Sequence, residues 1–185
     1  MAADLRCSWC GEDPLYVAYH DAEWGRPVTD DQRLFEKLCL EGFQAGLSWL
    51  TILRKRERFR EVFAGFEPEA VAVLTPKDVD RLSGDAGIVR NRAKIQATID
   101  NARAVLELDS FSDLVWSYAP APGPGPKTEE QIPTQTLESD AMSLELKRLG
   151  FRFVGPTICY AFMQSMGLVN DHVADCKTRA EIDAG

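Results

Sequence analysis

Apolar residues recur at three- and four-residue intervals along most of the chain, and no run alternates as a strand requires. Leu34, Phe35, Leu38 and Cys39 follow Thr29 and Gln32, a spacing that resembles a capping box and predicts a helix from about Asp30 to Glu41. Beyond Gly46, the set Trp49, Ile52, Leu53, Phe59, Val62 and Phe63 predicts a second amphipathic helix that Gly65 closes. Pro68 and Pro76 each stand where a helix would begin, the latter behind Thr75 as N-cap. A longer helix is predicted from about Arg90 to Leu106, with Ile95, Ile99, Ala102 and Val105 facing inward. The segment from Ala119 to Pro133 holds five prolines and two glycines, which excludes a regular helix and predicts a loop. Ser139 is expected to cap a helix ending at Gly150. Phe151 to Gly155 then reads as a short hinge before Pro156 opens a last apolar helix that stops at Gly167. After Cys176 the stretch KTRAEIDAG has no helical pattern, so residues 177–185 are expected to form a flexible tail. The fold class expected is all-α, without internal repeats.

At 185 residues and 45% hydrophobic content the chain can bury one good core. A single domain over residues 1–185 is the default, and two small helical lobes with a cleft between them is its variant. No stretch reaches the roughly 18 apolar residues of a membrane span. The start MAADLRCSWC lacks the basic-then-apolar pattern of a secretory signal, so a soluble cytoplasmic protein without a membrane partner is expected. The five cysteines form an odd set, which disfavours a disulfide framework and leaves metal or core roles. A net charge of −8 weighs against a broad electrostatic grip on nucleic acid. Basic residues do gather at Arg54, Lys55, Arg56, Arg58 and Arg60, at Arg90, Arg92 and Lys94, and at Lys147, Arg148 and Arg152. Solvated helix faces are the commoner meaning of such runs.

The two histidines both stand near cysteines: Cys7 and Cys10 precede His20, and His172 lies four residues before Cys176. Residues at i and i+4 share one face of a helical turn, so His172 and Cys176 can offer nitrogen and sulfur to one ion. Zinc prefers four such ligands in a tetrahedron. Cys7, His20, His172 and Cys176 would complete that shell and leave no position for a reacting water, which implies a structural ion. Cys10 competes with Cys7 for the place, and ordinary buried cysteines are the plain alternative.

Asp13-Pro14 reads as an N-cap followed by proline at the first helical position, which groups Tyr16, Tyr19 and His20 on one side of a short helix, with Trp24 soon after. Such an aromatic stripe is more often core than pocket. Glu41, however, falls on the same face as Leu34, Leu38 and Ala45, which points a carboxylate inward, where a charge is costly unless paired. The alternative is a surface pair with Lys37, one turn earlier. An acid among flat rings is a receptor for a flat cation, because aromatic faces attract positive charge and a carboxylate accepts hydrogen bonds from amines.

The blocks YVAYHDAEWG, LCLEGFQAGLSWLTILRKRE, DAGIVRNRAKIQATIDNA and FVGPTICYAFMQSMGLVNDH together resemble the DNA-3-methyladenine glycosylase I family, over about Cys7 to Cys176. The resemblance implies a helix-hairpin-helix glycosylase fold and a base-excision repair enzyme that hydrolyses the N-glycosidic bond of 3-methyladenine. Its partners would be double-stranded alkylated DNA and free 3-methyladenine as product, and a monomer is expected. The family's zinc ligands fall on Cys7, His20, His172 and Cys176, which makes Cys10 an extra residue. Its base pocket falls on Tyr16, Tyr19, Trp24, Glu41 and Trp49, with Glu41 and Tyr19 reading the edge of the extruded base and Trp49 stacking on its face. Glu41 is also the candidate for electrostatic assistance in catalysis.

By the same resemblance the hairpin is Phe151 to Gly155, followed by Pro156 and Thr157, so that Phe153, Gly155 and Thr157 meet DNA. Backbone N–H groups at the start of the last helix would bind phosphate without net positive charge. Gly46 and Leu47 resemble the wedge that supports the gap left by a flipped base. Where many relatives in the wider superfamily carry an aspartate two residues before a histidine, this chain has Asn170, with Asp171 beside it. No lysine opens the helix after the hairpin, so a monofunctional enzyme is expected. Two other readings compete: a non-catalytic zinc-stapled module that binds damaged DNA or a protein, and a zinc hydrolase, which four protein ligands disfavour.

Overall fold

The computed structural model describes residues 5–184, leaving 1–4 and Gly185 at the ends of the expected domain and tail outside. Among the described residues there is no strand. The α-helices are α1 (Pro14–Ala22), α2 (Asp31–Gln44), α3 (Trp49–Val62), α4 (Pro68–Ala72), α5 (Pro76–Ser83), α6 (Arg92–Leu106), α7 (Phe111–Trp116), α8 (Leu137–Arg148), α9 (Pro156–Ser165) and α10 (Lys177–Asp183). Short 3-10 turns occupy Ser8–Cys10, Ala64–Phe66 and Glu129–Gln131.

Helix α2 lies at the centre because its second half has no solvent side. Every residue from Leu38 to Phe43 is buried, and apart from Glu41, which finds a partner in Lys37, the stretch has no charge to keep it at the surface. It packs on α3, α6, α7 and α9, while α4 and α5 flank α6 and α8 flanks α9. The rings of Phe43, Phe59, Phe63 and Phe66 follow one another at 4.5, 6.4 and 5.4 Å between centroids, joining α2 to α3 and to the turn at Gly65. That turn runs through positive φ at Ala64, Gly65 and Phe66.

Several local expectations need correction. Asp30, not Thr29, caps α2, its carboxylate accepting the N–H of Arg33 at 2.9 Å. The helix runs three residues past Glu41, since the turn Leu40 to Phe43 is buried on every side. Thr136 caps α8, and Ser139 sits at the third position as the reciprocal partner of the capping box. Helix α7 was not apparent in the sequence. Its first N–H groups are held from a distance: Asp31 accepts from Phe111 at 3.2 Å and from Ser112 at 2.6 Å.

The expected flexible tail is also overturned, because residues 177–183 form α10. Tertiary bonds hold it where local pattern would not. The Lys177 N–H donates to the Leu5 carbonyl at 3.0 Å, its ammonium pairs with Asp21 at 3.1 Å, Glu181 pairs with Arg26 at 2.6 Å, and Thr178 is buried. The Pro- and Gly-rich stretch is irregular as expected, apart from the turn at Glu129–Gln131. Arg54, Arg56, Arg58 and Arg60 each reach an acidic side chain, so this basic run is a paired helix face.

Between α8 and α9 the chain makes a tight hairpin. Gly150 has φ 94° and Phe153 has φ 55°, a left-handed conformation unusual for a side chain of that size. The strain is held by neighbours from three helices. Asn101 of α6 accepts the Arg152 N–H at 2.7 Å and donates to the Arg152 carbonyl at 3.1 Å. Ser143 of α8 donates to the Val154 carbonyl at 2.6 Å. Gly42 of α2 lies so close that a Cβ there would come within 3.3 Å of the Phe153 Cβ.

Candidate active site

Helix α1 begins as its sequence predicts. The Asp13 carboxylate accepts from the N–H groups of Leu15 and Tyr16 at 3.0 and 3.4 Å, with Pro14 at the first helical position. That start places Tyr16 and Tyr19 one turn apart, their rings stacked 6.4 Å apart, and Trp49 at the head of α3 lies 5.4 Å from Tyr19. A cavity of about 400 Å3 opens beside them, and Tyr16, Tyr19, Trp24, Glu41 and Trp49 all line it. These five come from three helices and a loop, and Thr157 of α9 joins them from the far side.

Glu41 is buried at 5% exposure, so it points inward as its position on α2 requires. It is also paired with Lys37, whose Nζ lies 2.8 Å from its Oε1, so the two readings of Glu41 merge into one buried pair. The Lys37 ammonium donates further to the Tyr19 hydroxyl at 2.7 Å and sits 3.1 Å from the centre of the Trp49 ring. Burial pulls Lys37 down to about 8, opposed by the attraction of Glu41. Burial also holds Tyr19 well above the ordinary tyrosine range, with the Glu41 charge adding to the effect, so its hydroxyl keeps its proton. The cavity is therefore less anionic than a lone carboxylate would make it.

Behind one wall stand Cys7, His20, His172 and Cys176, all buried, with donor atoms within 4.8 Å of one another. The Sγ atoms of Cys7 and Cys176 each lie 3.5 Å from Nδ1 of His172, and Cys176 Sγ lies 3.6 Å from Nε2 of His20. The remaining ring nitrogens are committed elsewhere: His20 Nδ1 to Asp21 at 2.8 Å and His172 Nε2 to the Trp24 carbonyl at 3.0 Å. Such outer contacts leave the other nitrogen of each ring to face the shared centre. Burial pulls His172 down to about 4, which favours the neutral, ligating form. This group can hold a metal. Cys10 turns away, its thiol directed at the Cys7 carbonyl at 3.1 Å.

Gly46 and Leu47 occupy the exposed turn between α2 and α3, with Gly46 at φ 83°. Lys94 of α6 fastens this turn to the hairpin side. Its ammonium accepts no bond but donates to the Phe43 and Ala45 carbonyls at 2.8 and 2.7 Å, and it stands 5.9 Å from the Phe153 ring. Leu47 and Phe153 are both exposed apolar side chains, at 44% and 38%. Asp171, the acid beside Asn170, accepts from Tyr160 at 2.6 Å and Gln164 at 2.9 Å, two residues of α9 that line the cavity.

The sequence model of the methyladenine glycosylase family matches residues 9–180. The chain belongs to the methyladenine glycosylase family. This family member is 55% identical over 177 residues to DNA-3-methyladenine glycosylase 1 of Escherichia coli (strain K12), covering 92% of this chain and 95% of that one. To the DNA-3-methyladenine glycosylase of Haemophilus influenzae it is 49% identical, over 92% and 96% of the two chains. Among solved structures, a 3-methyladenine DNA glycosylase I superposes with a TM-score of 0.91 at 51% identity, covering 94% of this chain and 98% of its own. The Staphylococcus aureus enzyme, solved for the structural basis of 3-methyladenine recognition, superposes at 0.90 with 38% identity, over 96% and 97%.

In this methyladenine glycosylase fold, sequence reasoning passed over Trp9 and the loop wall. Trp9 packs at 5.1 Å on Tyr16, 5.2 Å on His20 and 5.0 Å on Trp24, so it joins the metal-binding group to the cavity lining. Glu129 holds it there by accepting the N–H of Trp9 at 3.2 Å and the Ser8 hydroxyl at 2.8 Å. The only sequence signal was a tryptophan between two cysteines. Glu129, Ile132 and Pro133 bring the Pro-rich segment to the cavity, which no local pattern announces.

Proposed function

We propose that this chain is a monofunctional base-excision repair glycosylase, a single catalytic domain over residues 1–185 that hydrolyses the N-glycosidic bond of 3-methyladenine in double-stranded alkylated DNA. The observation that carries this reading is the placement of Glu41 and Tyr19 at the end of an aromatic cavity of about 400 Å3, large enough for one purine. Tyr16, Trp24 and Trp49 would hold the base between flat walls. Glu41 would accept from its amino edge and stabilise positive charge that moves onto the sugar as the bond breaks.

The chemistry asks little more. Methylation at N3 makes the nucleotide base cationic, so it departs as a neutral molecule and needs no strong general acid. The enzyme's work is to take the base out of the stack and keep the duplex open. Leu47, on its exposed turn, would fill the gap. The hairpin with Phe153 and Gly155, and Thr157 at the start of α9, would meet the backbone, where N–H groups bind phosphate without relying on net charge. An acidic chain is then no obstacle. Lys37, which touches the cavity-lining residues Tyr19, Glu41 and Trp49, has its donors occupied, which fits hydrolysis better than a Schiff-base route.

For the metal we propose zinc in a structural role on Cys7, His20, His172 and Cys176. Tetrahedral zinc with bonds of about 2.3 Å to sulfur and about 2.0 Å to nitrogen separates those donors by roughly 3.5 Å, and the sulfur–nitrogen distances here are 3.5, 3.5 and 3.6 Å. Bound there, zinc would tie residues near the start of the chain to those near its end. We further read the protein as a cytoplasmic monomer.

The test is release of free 3-methyladenine from methylated duplex DNA by the purified protein, and its loss in folded Glu41→Gln and Tyr19→Phe variants. Binding to alkylated DNA with no base released would replace this reading by that of a damage-binding module.

A further inference from the structure

We propose that Lys37 is a positioning residue that fixes which groups at the end of the cavity accept and which donate hydrogen bonds, and so sets its preference for an adenine-type over a guanine-type edge. The inference rests on the glycosylase reading above and concerns the specificity of that same site.

A lysine ammonium carries three donors and no acceptor. All three are directed here: at Glu41 Oε1, at the Tyr19 oxygen and at the face of Trp49. Lys37 is 5% exposed and stands behind the lining residues, so it acts on a base only through them. Its bond to Tyr19 fills a lone pair of the hydroxyl oxygen. The hydroxyl's own proton has no acceptor among the described residues and is left for a ligand. Its bond to Glu41 takes Oε1, and Oε2 keeps its acceptor capacity for a ligand in the cavity that Glu41 lines. The end wall thus presents a donor beside an acceptor.

That order matters for purines. Adenine offers an amino donor next to the N7 acceptor, whereas guanine offers two acceptors, O6 and N7. A carboxylate facing O6 sets acceptor against acceptor with no water to relieve it, and such a mismatch lowers affinity about tenfold or more. The order lasts only while Lys37 holds it. Without the ammonium, the Tyr19 hydroxyl is free to turn its proton onto Glu41, and the order of donor beside acceptor is lost. The Lys37 charge also offsets that of Glu41, so discrimination falls on hydrogen-bond polarity and not on attraction of cations in general.

The experiment measures 3-methyladenine and 3-methylguanine released from the same methylated duplex by wild-type protein and by Lys37→Met, a substitution that keeps the length of the side chain and removes its donors. The expected result is a wild type that favours 3-methyladenine and a variant whose ratio of the two rates falls about tenfold. Equal loss of both rates, the signature of a merely structural role, would overturn the proposal. Lys37→Leu, which has no donor, provides the same ratio if the methionine variant does not fold, and an unchanged ratio in it also overturns the proposal. A wild type that releases neither base overturns the glycosylase reading itself, which is a different outcome from an unchanged preference.

Discussion

The backbone carbonyl of Trp24 lies 3.0 Å from Nε2 of His172, while the Trp24 ring stands edge-on to the same imidazole at 4.6 Å between centroids. One residue therefore walls the cavity and orients a member of the metal-binding group. Trp9 repeats the connection through His20. The group that can hold a metal is thus packed against the rings that line the cavity.

This coupling predicts that chelating the metal, or replacing Cys176 with alanine, lowers stability and loosens the aromatic wall together. The expected outcome is a reduced melting temperature with affinity for free 3-methyladenine down about tenfold in the fraction still folded, read by calorimetry and by tryptophan fluorescence. Elemental analysis of the purified protein should find one zinc per chain. Unchanged base affinity after metal loss would separate the two sites.

Glu41→Gln and Glu41→Ala should differ in kind. The amide keeps a partner for Lys37, so the protein folds while release of 3-methyladenine slows about a hundredfold, the usual scale for removing one preorganised electrostatic group. Alanine leaves a buried ammonium unpaired, a change that typically costs about 3–5 kcal/mol. Burial already pulls Lys37 down to about 8 with Glu41 beside it, so without the carboxylate the ammonium sheds its proton more readily, which places the expected loss toward the lower figure. Urea denaturation measures the difference.

Asn101 makes no contact with the cavity, yet it clamps the hairpin through both atoms of its amide. For Asn101→Ala we expect DNA affinity to fall about tenfold while binding of the free base is unchanged, as two hydrogen bonds to a strained backbone are lost. Titration of a methylated duplex and of 3-methyladenine separates these effects. Equal weakening of both would mean that the hairpin and the cavity move as one.

Stability should depend on pH through Lys37 in a definite direction. Its folded value near 8 lies below the ordinary lysine value of 10.5, so between these limits the unfolded chain binds more protons than the folded one. Stability contributed by Lys37 therefore rises as pH increases from about 8 and is lost as pH falls back through that value. The wild-type curve should steepen relative to that of Lys37→Met between pH 8 and 10, as read by chemical denaturation. Parallel curves would show that Lys37 is not buried in its charged form.

The sequence by itself determined the helices whose apolar faces repeat, the loop dictated by prolines, and the inward direction of Glu41, because these follow from spacing along one element. It also brought the two histidines and their cysteines under suspicion as a metal-binding set. Tertiary structure decided what spacing cannot encode. Only packing showed that Lys37 lies inside with Glu41 instead of on the surface, that Trp9 and the Pro-rich loop complete the cavity, and that residues 177–183 are helical. The reason is the same in each case: these features depend on partners far away in the chain, which local pattern does not register.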